Sequence, residues 1–271
     1  MYVDSHCHLS DPELHERIDE LRREMALAQV DRALCICTTL EEFDRVHALA
    51  MAHDNFWCTV GVHPDNEGVR EPRVDDLVTR AGLPRVVALG ETGLDYYRLN
   101  GRSVEQMEWQ RERFRVHIRA ARATALPLVV HTRSASADTV ALLREEGQGG
   151  VRGVFHCFTE TLEVARQALE LGFDVSFSGI LTFRSAEELR TVARFVPLDR
   201  CLIETDSPYL APMPYRGKTN HPALVAHVAA KLAEVKGLSV AEVARATSAN
   251  FERLFGLPAL FKEASGHEKI L

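Results

Sequence analysis

The chain has 271 residues, 46% of them apolar and 26% charged, which is the make-up of an ordinary globular protein able to bury a large core without staples. Its formal net charge of −7 argues against a broad basic surface that coats duplex DNA, but leaves room for a local cationic groove or for metal ions that bring positive charge with them. No run of about 18 apolar residues occurs, and the opening stretch MYVDSHCHLS is too polar for a secretory signal, so a cytoplasmic location is expected.

Along the chain, a strand-like run at 1–5 leads into a helical pattern over 12–28. There Leu14, Ile18, Leu21 and Met25 recur at three- and four-residue spacing, with Asp11 placed as N-cap and Pro12 in the first helical position. Further apolar runs follow at 32–37, 55–61, 85–91, 126–132, 151–157, 173–179 and 200–206. They are rich in Val, Ile, Leu and Phe and lack a clean polar alternation, which is how strands buried on both faces read. Helical patterns occupy 105–123, 136–146, 161–171 and 185–195. The last, over 239–255, opens on the capping box Ser239–Glu242 and stops at Gly256, with Val240, Val243, Phe251, Leu254 and Phe255 as its apolar stripe. The tail ASGHEKIL reads as a loose end, giving one domain over 1–257 and a tail over 258–271.

Eight such strands, each followed by a helix or a long loop, predict a closed (β/α)8 TIM barrel of the α/β class in a single domain. The alternative is an open doubly wound sheet, but no Gly-rich phosphate loop follows the first strand. The six cysteines, Cys7, Cys35, Cys37, Cys58, Cys157 and Cys201, read as small core residues, because the Cys35–Cys37 pair has no second paired cluster to build a metal site with.

In such a barrel, function collects where the strands end. The strand ends carry His6 and His8, then His63, Glu91 with Asp95, His131 with Arg133, His156, and Glu204 with Asp206. Residues i and i+2 of a strand project to one side, so His6 and His8 face one way while Cys7 faces the other. Imidazoles converging with carboxylates suit metal ligation. Because a carboxylate can bridge two cations, Glu91 is the natural bridge between one group of His6, His8 and Asp206 and another of His131 and His156. Two such ions, Zn²⁺, Mn²⁺ or Mg²⁺, would activate a water for hydrolysis. The other histidines sit in helical or tail contexts and read as ordinary core or surface residues.

The stretches DSHCHL at 4–9, GVHP at 61–64, GETGLDYY at 90–97, PLVVHTR at 127–133, HCFT at 156–159, SFSGILTF at 176–183, ETDSPYLAP at 204–212 and PYRGKTN at 214–220 together give the chain a close resemblance to the TatD-type metal-dependent deoxyribonucleases of the amidohydrolase-like barrels. That resemblance implies hydrolysis of phosphodiester bonds in DNA, as a 3′–5′ exonuclease on single strands. It implies metal ligation by His6, His8, Glu91, His131, His156 and Asp206, and places His63 and Asp95 near the metals, where they are expected to contact substrate or support the ligands, with Glu204 able to accept a hydrogen bond from a ligand histidine. Asp206 is expected to serve also as general base. Arg133, Lys218 and Asn220 are expected to hold phosphate oxygens, and Tyr96, Tyr97 or Tyr209 to stack on a base. Two positions depart from the family: Ser134 stands where Asp is usual and His221 where Glu is usual, which puts substrate preference in question and makes His221 a candidate further ligand or phosphate donor. Other readings are an amidohydrolase-like enzyme for a cyclic amide, lactone or small phosphoester, and a non-catalytic metal-binding scaffold. The first lacks a strand-end lysine, whose place Glu91 takes, and the second predicts a missing ligand where none is missing.

Overall fold

The structure, a computed structural model, describes residues 1–259. Among these, eight strands form one parallel sheet: β1 (Tyr2–Cys7), β2 (Val30–Cys35), β3 (Phe56–Val60), β4 (Val86–Asp95), β5 (Leu128–Arg133), β6 (Gly153–Phe155), β7 (Asp174–Phe177) and β8 (Cys201–Ile203), each hydrogen-bonded to the next in chain order. Closure comes just beyond β8. Asp206 N donates to His6 O at 2.9 Å and His8 N to Ser207 O at 2.8 Å, with a parallel bridge between Cys7 and Ser207. The expected single-domain (β/α)8 barrel is therefore the observed one, and the open sheet is not. The tail sequence ASGHEKIL lies outside the described residues.

The helices are α1 (Pro12–His15), α2 (Ile18–Leu27), α3 (Phe43–Ala52), α4 (Val74–Ala81), α5 (Glu108–Thr124), α6 (Ser136–Gly147), α7 (Leu162–Glu170), α8 (Glu187–Phe195), α9 (Val225–Lys236) and α10 (Val240–Phe255). The helix expected over 12–28 breaks at Arg17, whose backbone leaves the helical region at φ −108° and ψ 16°; Leu14 and Leu21 are fully buried on either side of the break. Three helices, α3, α4 and α9, have no counterpart in the sequence reading. The signal for α3 is present, since Phe43, Val46, Leu49 and Ala50 recur at helical spacing and are all buried. In α4 a single residue, Leu77, is buried, so its apolar stripe is too short to stand out.

Two apolar layers hold the barrel. The outer one packs strand residues such as Cys35, Cys58, Phe155 and Phe177 against the helices. The inner one fills the amino-terminal half of the lumen with Val3, Leu34, Trp57, Val87, Val129, Val154 and Leu202, and α10 closes that end with Phe251, Leu254 and Phe255. The start and stop of α10 follow its sequence: the Ser239 hydroxyl accepts from Glu242 N at 3.2 Å and Gly256 ends it at φ 66°. Val240, expected in the buried stripe, is 38% exposed instead, and its neighbours Ser239, Ala241 and Glu242 in the first turn are exposed too. All six cysteines are free, and five are buried; Cys157 is the exception, partly exposed. No helix among the described residues is long and apolar enough to cross a membrane.

Candidate metal centre

The other end of the barrel carries polar chemistry. A cleft of about 740 Å³ opens there, lined among others by His8, His63, Glu91, Asp95, His131, His156 and Asp206. Two strand irregularities aim these side chains. The β1–β2 register shifts between Asp4 and Cys7, and the β4–β5 register shifts between Leu89 and Thr92, so His6 and Glu91 both sit where an extra residue re-aims the strand. Gly93 lets β4 run tight against β5, since a Cβ there would lie 1.9 Å from His131 O.

Glu91 is the hub. Its Oε2 lies 3.2 Å from His6 Nε2 and 3.9 Å from His8 Nε2. Its Oε1 lies 2.8 Å from His156 Nε2, 3.2 Å from His131 Nδ1 and 3.2 Å from His63 Nε2. Asp206 Oδ1 faces the first group, 3.3 Å from His8 Nε2 and 3.5 Å from His6 Nε2. The rings of His6 and His156 stack at 3.8 Å. The two oxygens of one carboxylate thus face two sets of imidazoles, and all six residues expected to ligate metal meet at one point.

Neighbouring carboxylates set the histidine orientations. Asp95 Oδ2 holds His131 Nε2 at 3.1 Å, which leaves Nδ1 directed at Glu91. Glu204 Oε1 holds His156 Nδ1 at 3.2 Å and accepts from Cys157 N at 2.7 Å, which leaves Nε2 directed at Glu91. His63 differs. Its Nδ1 accepts from Asp65 N at 3.0 Å, so in the neutral ring Nε2 carries the proton and His63 presents a donor to Glu91 rather than a lone pair.

The electrostatics favour a cation. Burial alone would push Glu91 up, but His156, His63 and His6 outweigh it and hold the carboxyl well below its usual range. Burial likewise opposes the charge on His156, yet Glu91 and Glu204 raise it well above the ordinary imidazole value. Asp206 is lowered in spite of burial, through His8 and His6. So much buried negative charge calls for compensating positive charge. Among the described residues, His6 Nδ1 and Nε2, His156 Nε2 and Glu204 Oε2 are buried without a properly directed hydrogen bond. Three overlapping sets, His6–His156–Asp206, His6–His8–Glu91 and His63–Glu91–His131, each bring their donor atoms within 4.8 Å of one another. The residues fit a bound divalent cation of mixed nitrogen and oxygen ligation.

The residues expected to hold phosphate fare unequally. Arg133 is exposed on the cleft wall, with its guanidinium 3.7 Å over the Tyr97 ring. Asn220 corrects the sequence reading: it is fully buried, its amide donates to Thr205 O at 2.8 Å and Tyr209 O at 2.6 Å, and its Oδ1 accepts from His221 N. It ties down the loop after β8 and has no donor left for a phosphate. Lys218 is exposed but does not line the cleft, its ammonium lying 5.8 Å from the Tyr215 ring. His221 turns to α2, with Nδ1 3.2 Å from Glu24 Oε2, so it is neither a further ligand nor a phosphate donor at the mouth. Ser134 is exposed at φ 54°. Tyr96 is buried and donates to Asp138 Oδ2 at 2.7 Å, whereas Tyr97 and Tyr209 stand 61% and 58% exposed at the rim.

Sequence reasoning passed over several groups. Asp4 accepts from His6 N, Thr205 N and the Thr205 hydroxyl, fastening β1 to the end of β8; burial pushes its carboxyl up to about 8. Arg113 donates to His63 O at 2.7 Å and Asn66 O at 2.8 Å and pairs with Glu71, and His117 Nε2 accepts from Val62 N at 3.0 Å. Together they clamp the loop that carries His63. Arg45 and Arg98 line the cleft; Arg45 has no motif around it, and the available signal for Arg98 was its place directly after GETGLDYY, three residues beyond Asp95.

Barrel and donor cluster define the chain as a metal-dependent hydrolase. The chain belongs to the TatD related DNase family, whose pattern matches residues 3–256. It is 49% identical to the uncharacterized metal-dependent hydrolase YcfH of Escherichia coli K12 over 95% of this chain and 96% of that one. It is 34% identical to the 3′-5′ ssDNA/RNA exonuclease TatD of Citrobacter koseri, over 89% of this chain and 94% of that one. The crystal structure of YjjV, a TatD homologue from Escherichia coli K12, superimposes with a TM-score of 0.86 at 27% identity, covering 95% of this chain and 98% of that one.

Proposed function

We propose that the protein is a deoxyribonuclease that hydrolyses phosphodiester bonds from the 3′ end of single strands, with two divalent cations held by His6, His8, Glu91, His131, His156 and Asp206. The observation that carries this reading is the division of Glu91, one oxygen facing His6 and His8 and the other facing His131 and His156. When bound, the cations acidify water and neutralise charge developing on a phosphoryl group.

The residues of the chain supply the rest. Asp206 is 15% exposed at the mouth, against 3% for Glu91, so Asp206 is the carboxylate that an incoming water reaches and the base that takes its proton. Asp95 and Glu204 lock the rings of His131 and His156. His63 offers its Nε2–H to a non-bridging phosphate oxygen. Arg133 on the cleft wall adds fixed positive charge, while Arg98 is paired with Asp65 at 3.6 Å, and the exposed rings of Tyr97 and Tyr209 give the terminal bases surfaces to stack on. Six free thiols suit a reducing cytoplasm. The barrel domain is assigned to 1–257.

The test is cleavage of single-stranded DNA labelled at its 3′ or its 5′ end, in Mg²⁺, Mn²⁺ or Zn²⁺, with a chelator and Glu91→Ala as controls. Metal-dependent loss of the 3′ label first is expected. Intact DNA beside rapid hydrolysis of dihydropyrimidines or lactones would replace this reading with the small-substrate one, and bound metal without turnover of any of these would make the barrel a scaffold.

A further inference from the structure

A second cleft, of about 550 Å³, lies beside the barrel mouth and takes part in nothing described so far. Its walls carry Arg184, Arg190, Arg194 and Lys231 against two carboxylates, Glu187 and Glu234. Four cations against two anions leave a net +2 on a protein whose whole charge is −7. The carboxylates are already engaged: Glu187 pairs with Arg190 at 2.9 Å and Arg194 at 3.2 Å, and Glu234 with Lys231 at 2.6 Å. Arg190 is also fixed by the carbonyls of Leu181, Phe183 and Arg184, so it builds the wall. Arg184 is exposed, and its guanidinium has no hydrogen bond or ion pair among the described residues. Arg216 adds a further cation, with Cζ 4.0 Å from the centre of the Phe183 ring.

The two clefts share a wall. The 3-10 turn Gly179–Thr182 after β7 puts Ile180 into the central cleft and Thr182 into the second. The Thr182 hydroxyl accepts from Met213 N at 2.8 Å, which fastens this turn to the β8 loop that also brings Tyr209, Arg216 and Lys218. The turn that walls the central cleft at Ile180 thus also walls the second cleft at Thr182, where Arg190 and Arg194 are paired with Glu187 and Arg184 has its guanidinium unpaired among the described residues.

We propose that this second cleft binds the phosphate backbone of single-stranded nucleic acid at nucleotides beyond the one being cleaved. The assignment rests on the nuclease reading and deepens it: the enzyme would hold its substrate at two places, and the second grip would favour longer strands over short ones. Guanidinium groups suit it because they grasp phosphate oxygens in pairs and are weakly hydrated.

The test compares wild type, Arg184→Ala and Arg184→Glu in Mg²⁺ or Mn²⁺ on three substrates: the diester bis(p-nitrophenyl) phosphate, a trinucleotide, and a single strand of about a dozen nucleotides. Arg184 is exposed and lies outside the donor cluster, so folding and diester turnover stay unchanged. Arg184→Glu is expected to raise KM for the long strand about tenfold, with kcat and trinucleotide KM unaltered. Arg184→Ala is expected to flatten the slope of log kcat/KM against log salt by about 0.7, the change for one phosphate that is no longer neutralised. Equal effects on both lengths, or none on either, would overturn the second grip and leave the nuclease reading standing. A wild type that splits the small diester and neither oligonucleotide would overturn the nuclease reading and this one with it.

Discussion

The two ends of the barrel are made by the same strands and obey opposite rules. At the amino-terminal end the lumen is filled by Val3, Leu34, Trp57 and Val129 and sealed by Phe251, Leu254 and Phe255 of α10. At the carboxyl end the same lumen holds His6, Glu91, His156 and Glu204, all nearly inaccessible and several without ordinary hydrogen-bond partners. One end lowers the free energy of the fold by removing apolar surface from water. The other raises it by burying charge, and is tolerated because the apolar end and the surrounding helices hold it in place.

The sharpest way to break this comparison is to change one residue at each end. Glu91→Ala is expected to lower metal-dependent hydrolysis about a thousandfold or more, a loss of several kcal/mol of transition-state stabilisation, while the melting temperature in chelator stays the same or rises. A Glu91→Ala protein with undiminished turnover would remove the hub from the site. Phe251→Ala should do the reverse: about 3–5 kcal/mol of stability lost to a cavity, read by urea titration, with turnover per folded molecule preserved.

A third test sharpens the border between the ends. His117 sits in the clamp on the His63 loop, where burial lowers its imidazole from 6.5 to about 4. Folding favours the neutral ring, so its contribution is full above pH 6.5 and is lost as pH falls towards 4, about 3 kcal/mol in all. Asp4, raised from 3.8 to about 8 by burial, contributes with the opposite slope, since the protonated form is the one folding favours. Comparing wild type with His117→Gln cancels Asp4. Their stability difference in chelator should narrow by about 3 kcal/mol between pH 7 and pH 4, and a constant difference would show that His117 does not titrate in this window. The smallest expected effect belongs to Asp95→Asn, which loosens His131 without removing it and should weaken metal affinity by about 10–100-fold, measured by competition with a fluorescent chelator.

What could be read from the sequence follows the same division. The strands were legible because residues buried on both faces leave unbroken apolar runs, and the donors were legible because six ligand-type side chains fall at strand ends. Less visible was the bulge in β1 and in β4, since an inserted residue changes no composition and only the pairing partner reveals it. Asn220 misled for a related reason. In sequence a polar residue after KT looks like a free donor, while in the fold its amide is taken by Thr205 O and Tyr209 O. The cleft arginines were harder to see: Arg45 is a polar position within α3 with no motif around it, and Arg98 was marked only by its place directly after GETGLDYY.

The barrel is shut by the pair Asp206 N to His6 O and His8 N to Ser207 O, and those hydrogen bonds join residues from opposite ends of the sheet's chain order. A polypeptide growing on the ribosome therefore exposes every histidine of the centre long before it can assemble one. Until the eighth strand has emerged and swung back onto the first, the imidazoles have no Asp206 beside them, and the lumen gains its seal only when α10 follows. The complete set of donors is thus a property of the closed barrel, because Asp206 is the last of them in the chain and reaches His6 only through that closure.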